Sequence, residues 1–121
     1  MPAQRILIVD DSATARQFFL EALIRHGYEC ITAKDGAEGV YKAKAEQPDL
    51  ILMDIVMPGM DGFNATRAIT RDDVTKHIPV IICTSKRQDT DRIWGMRQGA
   101  RGLLVKPINA KELIATVAAT F

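Results

Sequence analysis

Two short apolar runs end in carboxylates, and this pattern constrains the fold more than any other feature of the sequence. Ile6 to Val9 run directly into Asp10 and Asp11, and Leu50 to Met53 run directly into Asp54. A short apolar run of this kind is typical of a strand that is buried on both faces, as in a parallel sheet. The acids at the ends of such strands therefore need an explanation from the rest of the chain.

Strand-like and helix-like segments alternate along the whole sequence. Asp35 with Glu38, and Asn109 with Glu112, have the spacing of helix capping boxes. The alternation predicts an α/β fold, a doubly wound five-stranded parallel sheet with five helices on its two faces. The predicted strands are Arg5–Val9, Glu29–Ala33, Asp49–Met53, Pro79–Cys83 and Leu103–Val105. The predicted helices are Ser12–His26, one that begins at Asp35, Phe63–Arg71, 88–98 and one that begins at Asn109.

The spacing of apolar residues predicts which face of each helix lies against the sheet. The helix over 88–98 has few apolar positions, namely Ile93, Trp94 and Met96. The predicted inner residues of the other helices are Ala15, Phe18, Phe19, Ala22 and Leu23 in the first, Ala37, Val40 and Tyr41 in the second, and Ala110, Leu113, Ile114, Val117 and Phe121 in the last.

Composition and charge exclude several classes of protein. The 121 residues suffice for one compact domain, so a single domain over residues 1–121 is predicted. A net charge of +1 gives no general attraction to nucleic acid or to an anionic membrane. No apolar run approaches the ~20 residues of a membrane helix, and acids come too early for a signal peptide. Cys30 and Cys83 lie in apolar strand-like runs, which favours reduced core thiols in a cytoplasmic protein.

The residues that end the predicted strands form a restricted chemical set. Ligands of doubly wound sheets bind beyond the carboxyl ends of the strands, so these residues should share one rim. The set comprises Asp10 and Asp11 after the first strand, Asp54 after the third, Thr84 and Ser85 after the fourth, and Lys106 after the fifth. Three neighbouring carboxylates repel one another and require a cation, and a hard divalent ion such as Mg²⁺ fits them.

A divalent cation, a lysine and a hydroxyl together are what the transfer of a phosphoryl group requires. A carboxylate can itself be the nucleophile and form an aspartyl-phosphate. Asp54 ends the central strand and is the natural acceptor, which leaves Asp10 and Asp11 as the acids of the metal site. Each feature alone has an ordinary structural explanation, such as a helix cap or a turn, but together and in this order they favour phosphoryl transfer.

The sequence resembles the response-regulator receiver domain, the phospho-acceptor part of two-component signalling. The stretches that carry this resemblance are "ILIVDDS", "LILMDIVMPGMDGF", "PVIICTS" and "GLLVKPI", and the match covers essentially the whole chain. It implies a CheY-like, flavodoxin-like sheet in the order 2-1-3-4-5 and Mg²⁺-dependent phosphorylation, with Mn²⁺ as an alternative ion. Its phosphodonor would be a CheA-like sensor histidine kinase. Within the family, "LMDIVMPGMDGFNATR" and "DRIWGMRQGAR" look most like PilH-type single-domain regulators of type IV pili and twitching motility.

The resemblance also implies a role for individual residues. Asp54 corresponds to the phosphorylated aspartate, Asp11 to the direct Mg²⁺ ligand and Asp10 to its partner. The backbone carbonyl of Val56 corresponds to a third protein ligand. Thr84 corresponds to the switch hydroxyl and Lys106 to the lysine that contacts the phosphate, and the bond from Lys106 to Pro107 is typically cis in the family.

Two departures from the family pattern bear on the expected output. Leu103 stands where many receivers carry a Tyr or Phe that takes part in the switch. It either fills the same space or indicates output without the aromatic movement. Val56 and Lys86 stand at the positions that flank the phosphate. Val56 cannot position an attacking water by hydrogen bonding, and Lys86 either shields the phosphate electrostatically or points to solvent. Slow to moderate self-dephosphorylation is therefore predicted.

The C-terminal third of the chain is its basic part. Residues 1–60 have a net charge of −3, whereas residues 84–121 have a net charge of +4. The predicted output is a downstream protein with an acidic surface that binds the fourth helix, fifth strand and fifth helix, and phosphorylation leaves a monomer or gives a weak dimer. The alternative is that these charges are merely solvated. The basic residues concerned are Lys86, Arg87, Arg92, Arg97, Arg101 and Lys111.

Three other functions remain open from the sequence. The protein could be a phosphate sink that drains a shared kinase without an output partner, and Leu103 mildly favours this. It could be a Mg²⁺-dependent phosphohydrolase with Asp54 as nucleophile, but such enzymes usually carry an acid at the position of Val56. It could be a flavin-binding domain of similar topology, which the acidic rim opposes. The leading hypothesis is a phosphorylation-switched binding module that catalyses only its own phosphorylation and dephosphorylation.

Overall fold

The computed structural model describes residues 4–85 and 89–121, and these form a five-stranded sheet with helices on both faces. The strands are β1 (Arg5–Val9), β2 (Glu29–Ala33), β3 (Leu50–Asp54), β4 (Val80–Thr84) and β5 (Gly102–Val105). The helices are α1 (Ala13–Arg25), α2 (Gly36–Glu46), α3 (Gly62–Arg71), α4 (Asp89–Arg97) and α5 (Ala110–Thr120). All pairs of neighbouring strands are parallel, in the order β2-β1-β3-β4-β5. The predicted fold class and strand order are confirmed.

Two predicted strands begin and end one residue too early. β3 ends at Asp54 and β4 ends at Thr84, because Asp54 pairs with Cys83 and Thr84 pairs with Val105 in the sheet. The two polar residues are therefore the last residues of their strands rather than the first residues of the following loops. Their backbones are fixed by the sheet, which places their side chains more rigidly than a loop would.

The strands alternate their side chains between two separate cores, as the period of two dictates. Ile6, Ile8 and Leu52 pack with residues of α1 and α5 on one face. Leu7 and Val9 pack with residues of α2 and α3 on the other face. Because both faces are covered, the apolar side chains of β1 and β3 have almost no exposed surface.

The capping predictions hold, with one change in detail. Asp35 accepts a hydrogen bond from the Glu38 amide at 2.8 Å, and Asn109 accepts one from the Glu112 amide at 2.7 Å. The Glu38 carboxylate accepts a hydrogen bond from the amide of Lys34, one residue before the cap, at 2.8 Å, rather than from the amide of the cap residue itself. Ser12 caps α1 in the same way, through the amide of Ala15.

The predicted inner face of α2 is wrong at two of its three residues, since only Val40 packs against the core. Tyr41 is 70% exposed and Ala37 is also exposed, whereas Gly36, Gly39 and Ala43 are buried. A Cβ atom added to Gly39 would lie 2.9 Å from a methyl group of Val9. The helix approaches β1 so closely that glycine, which an apolar pattern does not count, forms the contact.

Two other helices show smaller differences of the same kind. In α1, Phe19, Ala22 and Leu23 are buried as predicted, but Phe18 is 37% exposed. In α5, Leu113 and Val117 are buried, whereas Ala110 is exposed. The terminal Phe121 is 40% exposed and stacks on Tyr28 with ring centroids 5.9 Å apart.

Both cysteines are free thiols, as predicted from their apolar surroundings. Burial raises the pKa of Cys30 to about 11 and that of Cys83 to about 12. Both groups therefore remain protonated at neutral pH, which suits small apolar core residues rather than nucleophiles.

Candidate functional site

Three aspartates meet at the carboxyl ends of the two inner strands β1 and β3. Asp10 directly follows β1 and is 1% exposed, and Asp54 ends β3 and is 8% exposed. Asp11, the next residue along the chain, is exposed to solvent. One carboxylate oxygen from each residue lies within 4.8 Å of the others. The parallel pairing of β1 with β3 brings these acids together across more than forty positions of sequence.

Asp10 is held by bonds to all of its polar atoms. Its amide donates to the carbonyl of Ala33 at 3.1 Å, at the end of β2. Its two carboxylate oxygens accept from the amide of Ser12 at 2.9 Å and from Lys106 at 3.0 Å. The Arg16 guanidinium donates to its carbonyl oxygen at 2.7 Å. Buried acids need such partners, and Asp10 has them in full.

Lys106 joins the two buried acids. It follows β5, and its Nζ lies 3.0 Å from Asp10 Oδ2 and 3.2 Å from Asp54 Oδ1. Its backbone amide donates to the carbonyl of Thr84 at 2.6 Å, which fixes the end of β5 beside the end of β4. The peptide bond from Lys106 to Pro107 is cis.

The surroundings of Asp54 and Lys106 shift their protonation equilibria. Burial, and then the negative charge of Asp10, raises the pKa of Asp54, while Lys106 partly offsets this rise. Burial lowers the pKa of Lys106, but its hydrogen bonds to Asp10 and Asp54 and their charges more than reverse this, so the pKa is raised. Lys106 therefore stays cationic at physiological pH and compensates only part of the negative charge of the cluster.

Gly62 allows α3 to begin directly against the end of β3. Its amide donates to the carbonyl of Ile55 at 2.8 Å. A Cβ atom added to Gly62 would overlap the carbonyl oxygen of Asp54 and lie 2.7 Å from the Cα atom of Ile55. Because these are backbone atoms of the strand, they cannot move away without displacing Asp54.

The remaining predicted site residues differ in how exposed they are. Thr84 ends β4 and is 2% exposed. Val56 follows the buried Ile55 and exposes 64% of its surface. Leu103 is half-buried and packs against a small apolar cluster that includes Ile55 and Ile82.

Two of the predicted output residues lie on α4. Arg92 and Arg97 are exposed on α4, and the Arg97 guanidinium lies 5.9 Å from the centre of the Trp94 ring. A groove between α4 and β5 is lined by Arg92, Met96, Arg101, Gly102 and Leu103. Lys86 and Arg87 lie outside the described residues.

Two parts of the site were missed by sequence reasoning. Arg16 binds the backbone of Asp10, and Gly62 sets the distance between α3 and Asp54. The spacing of six residues between Asp10 and Arg16 gives a weak signal, since it spans a loop and one helical turn. Gly62 follows Asp61, which caps α3, and this marks the start of a helix but not a close approach.

The acids are suited to a hard divalent cation. Asp10, Asp11 and Asp54 offer only carboxylate oxygens, the ligands that Mg²⁺ prefers, and one of the three residues is open to solvent. An ion of this kind keeps several water ligands, so an exposed acid such as Asp11 suits it. No helix within the described residues has the length and apolar content needed to cross a membrane.

The chain is similar to proteins of bacterial signalling over nearly its full length. It is 51% identical to protein PilH of Pseudomonas aeruginosa over 113 residues, which covers 93% of each chain. It is 42% identical to the response regulator PleD of Caulobacter vibrioides, but spans only 25% of that protein. Among solved structures, the chemotaxis protein CheY4 of Vibrio cholerae matches with a TM-score of 0.94 at 34% identity, over 98% of this chain and 99% of that one.

The matched family range spans all of the residues that form the acid cluster. Residues 6–118 match the response regulator receiver domain, a range that includes all three aspartates, Thr84 and Lys106. This match covers most of the chain, and the fold and strand order agree with those of the CheY-like structures. The chain therefore belongs to the response regulator receiver domain family of two-component signalling proteins.

Proposed function

We propose that this protein accepts a phosphoryl group on Asp54 from a sensor histidine kinase and thereby changes its binding to other proteins. The observation that carries the proposal is the position of Asp54. It ends the central strand, is 8% exposed, and lies within bonding distance of Lys106 and beside two further acids. A carboxylate fixed in this way can act as a nucleophile.

The proposed reaction transfers the phosphoryl group between two side chains. An oxygen of Asp54 forms a bond to phosphorus while the bond between phosphorus and the kinase histidine breaks, and the electron pair of that bond returns to the imidazole nitrogen. Lys106 holds a fixed positive charge beside Asp54, which stabilises negative charge on the phosphoryl oxygens. Thr84, at the end of the neighbouring strand, is proposed as the switch hydroxyl that responds to the phosphate.

We assign a Mg²⁺ site, which Mn²⁺ can also fill, to Asp10, Asp11, Asp54 and the backbone carbonyl of Val56. The support is the clustering of three carboxylates with a single lysine between two of them. Bound there, the cation neutralises the remaining negative charge of the acids and of the phosphoryl group.

Phosphorylation by acetyl phosphate, read by intact mass, tests this function. The wild-type protein should gain one phosphoryl group in the presence of Mg²⁺ and none after chelation. Asp54→Asn should gain none under any condition. Asp73→Asn removes an acid whose side chain is 93% exposed and is the matched control, which should behave like wild type.

The outcome can also contradict the proposal. A phosphoryl group on wild type without Mg²⁺, or on Asp54→Asn with Mg²⁺, would show that another residue or mechanism is responsible. The decay of the phosphoprotein then measures self-dephosphorylation. We expect it to be slow to moderate because the Val56 side chain offers no group to position water, and a half-life of seconds or less would contradict this.

We further propose that the protein acts in a chemotaxis-like system that controls type IV pili and twitching motility. The support is its resemblance to regulators of that system and its 51% identity with PilH. Deletion of the encoding gene should change the twitching zone on agar. The wild-type gene should restore that zone, and the Asp54→Ala gene should not. An unchanged zone after deletion would contradict this role.

A phosphate sink is the second candidate, and Leu103 is the observation that favours it. Leu103 lies where many receivers use an aromatic switch residue, and it packs into the apolar cluster around Ile55 and Ile82. A leucine at this position has no phenol group that could contact a partner. A pull-down from lysate with the phosphorylated and unphosphorylated protein separates the two functions. A sink should capture the same proteins in both states, whereas a switch should capture a partner only in one of them.

A further inference from the structure

We propose that Arg16 is a positioning residue for Asp11 and thereby raises the affinity of the acid cluster for a divalent cation. This inference rests on the proposed function, because it assumes that Asp10, Asp11 and Asp54 form a metal site. It adds a residue that makes no contact with the acids' carboxylates and acts through the backbone of the loop that carries two of them.

The contact lies at the peptide bond between the two acids. Arg16 Nη1 donates to the carbonyl oxygen of Asp10 at 2.7 Å, and both groups are partly buried. This carbonyl belongs to the planar peptide unit that also contains the amide nitrogen and Cα atom of Asp11. A bond that fixes the oxygen therefore fixes the orientation of the whole unit and with it the starting point of the Asp11 side chain.

Asp11 depends on this support more than Asp10 does. Asp10 is tied to Ala33, Ser12 and Lys106 by three bonds besides the one from Arg16. Asp11 is exposed, and among the described residues no hydrogen bond or ion pair is made to its carboxylate. Its side chain is thus placed by its backbone alone.

Arg16 is itself well placed to hold the loop. It lies in the first turn of α1, where its amide donates to the carbonyl of Ser12 at 3.0 Å. The Ser12 hydroxyl caps the same helix, and the Ser12 amide binds Asp10. The loop that carries Asp11 is therefore tied to the start of α1 through Ser12 and Arg16.

Two effects of Arg16 on cation binding have opposite signs, which makes the proposal decidable. As a positive charge near the acids, Arg16 would repel a cation, so its removal would tighten binding. As a positioning residue, it preorganises Asp11, so its removal would weaken binding. Partners that orient metal ligands typically contribute about 10- to 100-fold in affinity.

Binding of Mn²⁺ to the full chain, followed by the electron paramagnetic resonance signal of the free ion, tests the proposal without any activity assay. Arg16→Met keeps most of the side-chain stem but removes the donor, and we expect the dissociation constant to rise about tenfold. Arg16→Lys keeps one donor and should lie between wild type and Arg16→Met. Lys34→Met is the matched control: it removes a positive charge after the neighbouring strand β2, and its side chain makes no described bond to the acids.

A second measurement separates positioning from a general loss of structure. The amide resonance of Asp11 in ¹⁵N NMR spectra should shift in Arg16→Met, and thermal unfolding followed by circular dichroism should remain cooperative. If Arg16→Met does not fold, Arg16→Lys gives the same test, since weaker Mn²⁺ binding than wild type supports the proposal.

The outcomes distinguish this inference from the proposed function. If wild type binds no Mn²⁺, the metal site and this inference are both wrong. If wild type binds Mn²⁺ but the folded Arg16 variants bind it equally or more tightly, only the positioning role is wrong. A loss of affinity in Lys34→Met equal to that in Arg16→Met would also overturn it, because the loss would then not depend on the bond from Arg16 to Asp10.

Discussion

The centre of the sheet and its α4 edge use apolar residues in opposite ways. In β1 and β3, every apolar side chain from Ile6 to Val9 and from Leu50 to Met53 is at most 1% exposed. In α4, Ile93, Trp94 and Met96 are 52%, 53% and 49% exposed, and Gly95 is the one buried residue among the described side chains at 92–97.

This difference separates the part of the molecule that holds the acids from the part that we propose binds a partner. Close packing in β1 and β3 fixes the backbones from which Asp10 and Asp54 project. Exposed apolar residues flanked by Arg92 and Arg97 on α4 have the composition of an interaction surface. The sheet thus holds a rigid site, whereas α4 leaves apolar side chains exposed that do not pack in the core.

The largest expected contrast is in stability. Leu52→Ala removes a side chain that is 1% exposed and should lower the free energy of unfolding by about 2–5 kcal/mol. Ile93→Ala on α4 should change it by no more than about 0.5 kcal/mol. Urea unfolding of both variants measures the contrast, and equal losses would show that α4 is packed as tightly as the centre.

A second contrast compares two glycines, each of which lies in close contact with another part of the chain. Gly62→Ala places a methyl group against the backbone of Asp54 and Ile55 and should cost about 1–3 kcal/mol of stability, or more if the strand cannot shift. Gly95→Ala on α4 places a methyl group 2.9 Å from the terminal methyl group of Ile82, and the gain in helix propensity of about 1 kcal/mol offsets this contact. A larger loss in the free energy of unfolding for Gly95→Ala than for Gly62→Ala, measured by urea unfolding, would contradict the contrast.

The third prediction concerns binding at the α4 surface. Reversal of both charges, Arg92→Glu with Arg97→Glu, should weaken binding to an acidic partner roughly tenfold, mainly through slower association. Higher salt should weaken wild-type binding and reduce the difference between the two proteins. Surface plasmon resonance with the partner recovered by pull-down measures both rates. The matched control is charge reversal at Arg25 and Arg71, exposed residues at the ends of α1 and α3, and unchanged binding by the α4 variant would contradict the prediction.

The smallest expected effect concerns Asp54 at the centre of the sheet, where the charged form needed for function lowers the stability of the fold. Burial, and then the charge of Asp10, raises the pKa of Asp54, so ionisation of this group costs the folded state stability. Its contribution is fully present below the ordinary aspartate pKa and is lost as the pH rises through the raised value. Asp54→Asn cannot ionise and should therefore be more stable than wild type at neutral pH, with a gain that disappears on acidification.

Urea unfolding at neutral and acidic pH, without divalent cations, measures this gain. The exposed Asp73→Asn serves as the control and should show no gain at neutral pH. A loss of stability in Asp54→Asn at neutral pH would mean that the bond from Lys106 outweighs burial and the repulsion by Asp10.

Much of the fold and site could be predicted from local sequence. The apolar runs of β1 and β3 are long enough to identify as buried strands, and the acids that follow them are visible as Asp10, Asp11 and Asp54. Errors arose where the relevant contact has no apolar signal. Gly39 rather than Tyr41 faces the sheet, because α2 lies too close to Val9 for a side chain.

The sequence by itself determined the element types, their alternation and the chemical identity of the strand-end residues, because these depend on local spacing and composition. Only the tertiary structure decided which groups touch. The bonds of Lys106 to Asp10 and Asp54 and the exposure of Trp94 depend on how strands and helices far apart in sequence pack together. The physical reason is that strand pairing and helix packing fix distances between distant residues, and no local pattern of the chain records those distances.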